Sequence, residues 1–289
     1  MQMRIGEKGS SCPVWRCGFN SAEVFGNPIH ELHLGGGPNE AGIRIAQVIP
    51  GKKVPEGFDK LDVVGDRLVL RKANGAAIGG KNLVGTVLVL AREDGPVANL
   101  VIAAHDKVHR WAKGTAPTDA YAFAYTDLDG VTGLSVCGGD DPRAVNAVVL
   151  GGETYDLETK QVNPGAGGWF TLACAGSAAA KLLLLDYGPQ SSQTTPAQRQ
   201  ATLKMITADY CGDGTAYTEN GTPLLWENVS GSVELDAQPG AVEAVWTAAG
   251  ALCLDATRIA DVSPGCALPA CDDFDLGDGE WITYLPNPT

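Results

Sequence analysis

No stretch of the chain is long and apolar enough to span a bilayer. The longest apolar runs, Leu182 to Leu185 and Val87 to Ala91, fall far short of the ~20 residues a membrane helix needs. Charge is sparse as well. Asp, Glu, Lys and Arg make up 19% of the residues, and 34 acidic against 21 basic side chains leave a net charge of -13. Without a cluster of Lys and Arg to displace counterions from a phosphate backbone, nucleic acid is excluded as a partner. Histidine is limited to four residues, His30, His33, His105 and His109. Gly-x-Ser-x-Gly, a Walker loop and His-Glu-x-x-His are all missing, which removes the enzyme classes that are easiest to read from sequence. The opening Met1-Gln-Met-Arg-Ile5 also lacks the basic and apolar regions of a secretory signal, so the expectation of secretion assumes a signal already removed.

What is present is turn-rich and β-prone. A chain of 289 residues, 44% hydrophobic, can bury one large core or two modest ones, and 37 glycines set it apart from a helical bundle. Ile29 to Leu34 alternates, with His30, Leu32 and Leu34 on one face and Glu31 and His33 on the other. Gly42 to Ile49, Leu61 to Arg71, Leu83 to Arg92 and Val97 to Val108 repeat the pattern between turn signals such as Asn74-Gly75 and Asp94-Gly-Pro96. Tyr121 to Tyr125, Ala147 to Leu150 and Trp169 to Cys174 read as further strands, Val242 to Asp255 as a hairpin, and Trp281 to Leu285 as a last strand. Two helices interrupt them. Ser177 caps Ala178 to Asp186, and Thr195-Pro-Ala-Gln198 carries a capping box with Pro in the first turn. Ala197, Ala201, Met205 and Ala208 predict a narrow apolar stripe on the second helix. The expected fold is therefore mainly β (α+β), with antiparallel meander or sandwich-like units and a two-helix insertion. Its expected divisions are residues 1–112, 118–235 and 236–289: a β-rich unit, a unit holding the helices, and a hairpin with a cysteine-rich tail.

Eight cysteines, Cys12, Cys17, Cys137, Cys174, Cys211, Cys253, Cys266 and Cys271, lack zinc-like spacing and neighbouring His, which points to disulfides in an oxidising compartment. The most distinctive segment is Thr207 to Thr222, where a helical pattern breaks into Cys211-Gly-Asp-Gly214. A thiol-hydrolase reading would make Cys211 a nucleophile, with Asp209, Asp213 and His30 around it. The competing reading makes Cys211 a half-cystine and uses Asp209 and Asp213 to hold turn amides. In the tail, Asp272, Asp273, Asp275, Asp278 and Glu280 have the short oxygen-ligand spacing that calcium uses, without full EF-hand spacing. No other cofactor is implied. Six tryptophans, spread evenly, read as core rather than as sugar platforms.

Phe170-Thr-Leu-Ala-Cys174, Ala180-Lys181, Ala208-Asp-Tyr-Cys-Gly-Asp-Gly214 and Asn220-Gly-Thr-Pro223 closely resemble the ADYC domain of secreted or cell-surface proteins. Cys12 to Cys17, His30-Glu-Leu32 and Gly250-Ala-Leu-Cys253 extend the likeness over most of the chain. The resemblance supplies a family without supplying a chemistry. Where family members carry two further cysteines, this chain has Leu182 and Thr202, one in each helix, as loss of a single helix-to-helix disulfide would leave. Proximity in sequence and the family's element order imply pairs Cys12–Cys17, Cys174–Cys211, Cys137–Cys253 and Cys266–Cys271. The expected function is a structural or binding role at the cell surface or outside the cell, recognising a protein or a glycan without catalysis. A secreted hydrolase built around Asp209, Cys211 and Asp213 is the rival, and a self-assembling homo-oligomeric surface protein is the second.

Overall fold

Alternation governs the longest strand. In the computed structural model, which describes residues 13–17, 21–128, 133–235 and 237–287, Ala98, Leu100 and Ile102 are buried while Val97, Asn99 and Val101 are half-buried. This is the period of a strand with one face on a core. The chain forms two compact units, and it passes between them several times: residues 1–109, 117–154 and 165–180 make the first, and 110–116, 155–164 and 181–289 the second. This differs from the three consecutive segments expected, because strands from 118–174 complete the sheet begun by the N-terminal hundred residues.

The first unit opens with a small hairpin of β1 (Glu23–Val24) and β2 (Asn27–Pro28). Next come β3 (Glu31–His33), β4 (Arg44–Ile49), β5 (Lys60–Val64), β6 (Arg67–Arg71) and β7 (Ala77–Gly79). A 3-10 turn, Gly80–Leu83, leads into β8 (Val87–Arg92) and β9 (Gly95–Val108); β10 (Thr118–Thr126), β11 (Leu134–Ser135) and β12 (Ala147–Gly151) follow. β13 (Glu153–Asp156), where the chain leaves the first unit, pairs with β14 (Gln161–Pro164), and β15 (Trp169–Cys174) returns to the main sheet. That sheet runs β3-β15-β12-β10-β9-β8-β4, with β11 added on β10. Every residue of β12 is buried, so the sheet is covered on both faces at its centre. The segment Leu61–Arg71, expected as one strand, is a hairpin turning at Gly65-Asp66, and β5-β6-β7 form a separate three-stranded sheet. Leu68 and Leu70 on one face of β6 join the core of Leu88, Leu100, Phe123 and Phe170. Each such buried side chain contributes about 1.5–3 kcal/mol. The hydroxyl of Tyr121, fully buried on β10, accepts the Leu68 N–H at 3.0 Å and ties the two sheets together.

In the second unit, α1 (Ala178–Leu184) begins at the boundary and α2 (Pro196–Thr207) lies wholly inside it. α2 packs on a four-stranded sheet in the order β16 (Leu225–Asn228), β19 (Trp281–Pro286), β17 (Pro239–Thr247) and β18 (Gly250–Leu254). The capping box stands as expected: the Thr195 hydroxyl accepts from Gln198 N and the Gln198 side chain accepts from Thr195 N. The narrow stripe does not. Ala197 is exposed, and every residue from Arg199 to Thr207 is buried, because strands cover the helix on more than one side. Its polar side chains are satisfied instead. Gln200 accepts from Val162 N at 2.8 Å and donates to Lys160 O at 2.8 Å, and Thr202 accepts from Trp281 Nε1 at 2.8 Å. Thr202 and Leu182, the two positions where a cysteine pair was expected in relatives, are both fully buried.

Three disulfides join described residues, Cys137–Cys174, Cys211–Cys266 and Cys253–Cys271, and three of the expected pairs are thereby corrected. Cys174 ends β15, whose neighbour β12 and the following β10–β11 pair hold Cys137 within the same unit. Cys271 is held beside β18 by Leu254 N to Pro269 O at 2.9 Å and Cys271 N to Asp255 Oδ1 at 2.7 Å, so it meets Cys253 rather than its sequence neighbour Cys266. The remaining expected pair, Cys12–Cys17, reaches outside the described residues. Among the described residues no cysteine is free, and no helix is long and apolar enough to cross a membrane.

Candidate functional site

The segment Ala208-Asp-Tyr-Cys-Gly-Asp-Gly214 begins where α2 stops. Ala208 caps the helix in the left-handed region (φ 53, ψ 42), donating its N–H to Lys204 and Met205 carbonyls, while Asp209 N bonds Lys204 O at 3.0 Å. A β-carbon in that region costs about 1–2 kcal/mol, so surrounding contacts must hold the turn. Two glycines show how tightly they do. A Cβ on Gly212 (φ +72) would stand 1.9 Å from Ala249 O, and one on Gly214 (φ +91) 2.5 Å from Glu158 O. Backbones pass too closely here for any side chain.

Asp209 is fully buried. Its Oδ2 accepts from Lys204 Nζ at 2.6 Å and from Gly214 N at 2.9 Å, and Oδ1 has no partner. Lys204, equally buried, also donates to Thr159 O and Gly212 O, each at 3.2 Å. The ammonium thus stitches β13–β14, α2 and the turn together. Tyr210 is buried against Trp246 (ring centroids 5.2 Å, stacked) and donates to Glu243 Oε1 at 2.5 Å. Burial, reinforced by the Glu243 charge, pushes its phenol well above the usual tyrosine range. Glu243 in turn holds Arg258 through both oxygens, at 2.7 and 3.1 Å, and Arg258 caps α2 by donating to Met205 O at 2.9 Å and Ile206 O at 3.4 Å. Cys211 is bonded to Cys266, and Asp213 is exposed, its Oδ1 accepting Thr215 N at 2.9 Å, which lowers its pKa.

Of the residues singled out for catalysis, Cys211 is therefore committed as a half-cystine, Asp209 as a buried ion pair, and Asp213 as a turn acceptor. His30 belongs to the first unit, where burial lowers its pKa against the opposing charge of Glu40. His33 accepts from Gly35 N at 3.1 Å and Gly37 N at 3.3 Å and shapes the loop after β3; His105 bonds Asp119 at 2.6 Å; His109 is exposed past the end of β9. The tail carboxylates do not converge. Asp275 accepts from Gly277 N and Asp278 from Asp275 N, Asp272 and Asp273 are exposed around a 3-10 turn, and buried Glu280 accepts from Tyr187 and from Gln198 Nε2. Among the described residues no group of three or more His, Cys, Asp or Glu is placed to hold a metal ion.

Lys204, Glu243 and Arg258 escaped the sequence reading. The available signal was a lone charge inside an apolar run, Leu203-Lys-Met-Ile206 and Val242-Glu-Ala-Val245, which marks a buried, paired ion.

Open concavities occur in the first unit. One, of about 560 Å³, lies between one face of β5–β7 and the end of β9, and is lined by Arg67, Val69, Ile78, Lys81, His105 and Lys107 among others. Another, of about 530 Å³, has Glu31, Glu40, Thr154 and Trp169 in its wall.

The ADYC domain model matches residues 80–260, more than half of the chain, and includes the whole turn from Ala208 to Gly214. Compared with curated proteins and with solved structures, the chain matches none. With the matched span covering the helices, the turn and the strands around it, the chain belongs to the ADYC domain family.

Proposed function

We propose that this chain is a non-catalytic protein of the cell surface or extracellular space, with a structural or binding role toward a protein or glycan. One observation carries this reading: the Asp, Tyr and Cys side chains of the family's motif are all spent on the fold. Asp209 neutralises Lys204, Tyr210 anchors Glu243, and Cys211 closes a disulfide. A thiol mechanism needs a thiolate, and a half-cystine has none to offer. Three disulfides among the described residues favour an oxidising compartment, where such bonds persist.

The test is fractionation of the cells that make the protein, followed by alkylation of the unreduced, denatured chain and peptide mapping. The expected result is recovery from the envelope or the medium with no label on Cys211 or Cys266. Recovery from the cytoplasm with both labelled would overturn the reading and restore Cys211 as a candidate nucleophile.

A further inference from the structure

We infer that the groove between β5–β7 and β9 in the first unit receives an acidic, extended peptide segment of a partner protein, which adds as a strand to the free edge of β7. This rests on the binding role proposed above and names the ligand class.

Charge is the first observation. The chain as a whole is acidic, at -13, yet the groove is lined by Arg67, Arg71, Lys81 and Lys107 against a single carboxylate, Asp119. Arg71 is paired with Asp62, and Asp119 is held by His105 Nε2 at 2.6 Å. Arg67, Lys81 and Lys107 are exposed, with no ion pair among the described residues. They come from three separate elements, β6, the 3-10 turn and β9. The other acids nearby are already engaged: Asp66 accepts from the Thr118 hydroxyl, and Asp106 Oδ1 accepts Lys107 N at 2.8 Å. A concave surface with one sign of unpaired charge concentrates field lines and draws in the opposite charge.

Strand geometry is the second. Arg67, Val69 and Arg71 line the groove at alternate positions, so β6 offers it one face. Ala77, Ile78 and Gly79 line it at three successive positions, which a strand does only where its edge borders the space. β7 is the outer strand of β5-β6-β7 and pairs with β6 alone among the described residues. Gly79 O accepts only the exposed Asn82 side chain at 3.3 Å, which an incoming strand can displace, and no second strand bonds the β7 edge among the described residues. It is therefore open to strand addition, in which main-chain bonds give affinity and alternate side chains give selectivity.

The floor is the third. Val69 and Ile78, with Val64 at the rim, are aliphatic; no Phe, Tyr or Trp lines the groove to stack on a sugar, and the one ring there, the His105 imidazole, is held by Asp119. Alternating acidic and aliphatic side chains of an added strand would meet the cations and this floor in turn. The volume, about 560 Å³, exceeds what one oxyanion needs and falls within the common range of about 300–1,000 Å³ for ligand sites.

The experiment uses the full chain and a short end-blocked peptide alternating Glu and Val, measured by calorimetry at physiological salt. Comparison probes are the same peptide with Gln for Glu, the peptide N-methylated at alternate residues, and a carboxylated oligosaccharide of equal charge. The acidic peptide is expected to bind. The Gln peptide, the N-methylated peptide and the Arg67→Gln/Lys81→Gln/Lys107→Gln variant should each weaken binding about tenfold or more. An unchanged urea midpoint for the variant shows that it folds. Absence of binding overturns the inference, as does equal binding by the triple variant. Tight binding of the saccharide with no effect of N-methylation overturns the strand-addition claim in favour of a site for anionic chains. Mass analysis of the recovered peptide separates the two readings: cleavage would sink the non-catalytic role, whereas an intact but unbound peptide sinks only the groove.

Discussion

The motif turn of the second unit and the groove of the first spend their charges in opposite ways. In the second, Lys204–Asp209 and Arg258–Glu243 are removed from water, with side-chain exposures of 3% or less. In the first, Arg71–Asp62 remains about a third exposed, and Arg67, Lys81 and Lys107 stand open to solvent around a groove. A family motif is easily mistaken for an active site. Here its Asp, Tyr and Cys form the knot that joins a helix end to a β sheet, while the groove proposed to meet a ligand belongs to the other unit.

The sharpest way to break that contrast is to unpair the buried ions. Asp209→Ala leaves the Lys204 ammonium buried with only carbonyl partners and should cost about 3–5 kcal/mol in urea unfolding. Combining it with Lys204→Met should recover most of the loss, since neither charge is then stranded. Asp62→Ala in the first unit should cost no more than about 1 kcal/mol, because water already screens its pair with Arg71. Equal losses at Asp209 and Asp62 would mean that the distinction between buried and open charge has no energetic content.

Disulfides sharpen the comparison at the next level. Replacing Cys211 and Cys266 together by Ala should lower stability by about 2–4 kcal/mol. It also frees the turn that holds Gly212 against Ala249, so amide exchange should quicken from Ala208 to Gly214. The corresponding Cys137→Ala/Cys174→Ala variant should speed exchange in β11 and β15 and leave that turn protected. A turn that exchanges equally in both variants would deny Cys211 its local role.

Sequence reading succeeded where local rules dominate. The capping box at Thr195, the strand at Val97 to Val108, and the final strand from Trp281 follow from neighbours within a few residues. It failed where long-range geometry decides. Cys266 and Cys271 look like partners because they are close in sequence, yet the bond from Cys271 N to Asp255 draws Cys271 toward β18. α2 looks one-sided because Gln200 and Lys204 are polar, and nothing local reveals the Lys160 and Thr159 carbonyls waiting for them. The groove was invisible for the same reason. Its parts lie between Val64 and Asp119, and the strand pattern of Leu61–Arg71 runs unbroken through the glycine turn that makes it a hairpin.

The smallest effect is a pair of pH limbs, one from each unit. Lys181 in the second unit has its pKa lowered to about 8 from an ordinary 10.5, by burial first and by the Arg258 charge second. Below pH 8 the lysine is charged in both states and the folded chain bears the full penalty. As pH rises from about 8 the unfolded chain holds a proton that the folded chain has released, so this group makes stability climb with pH. His30 in the first unit is lowered by burial from 6.5, with Glu40 opposing. Its contribution is present above pH 6.5, where both states are neutral, and is lost as pH falls, because the unfolded chain takes up the proton more readily. Urea midpoints measured across pH should therefore sag on the acid side through His30 and rise on the alkaline side through Lys181, until phenol ionisation in the unfolded chain intervenes. Lys181→Met should flatten only the alkaline limb and His30→Gln only the acid one. A single substitution that flattened both limbs would show that the two units titrate as one body, and the contrast between them would have to be drawn elsewhere.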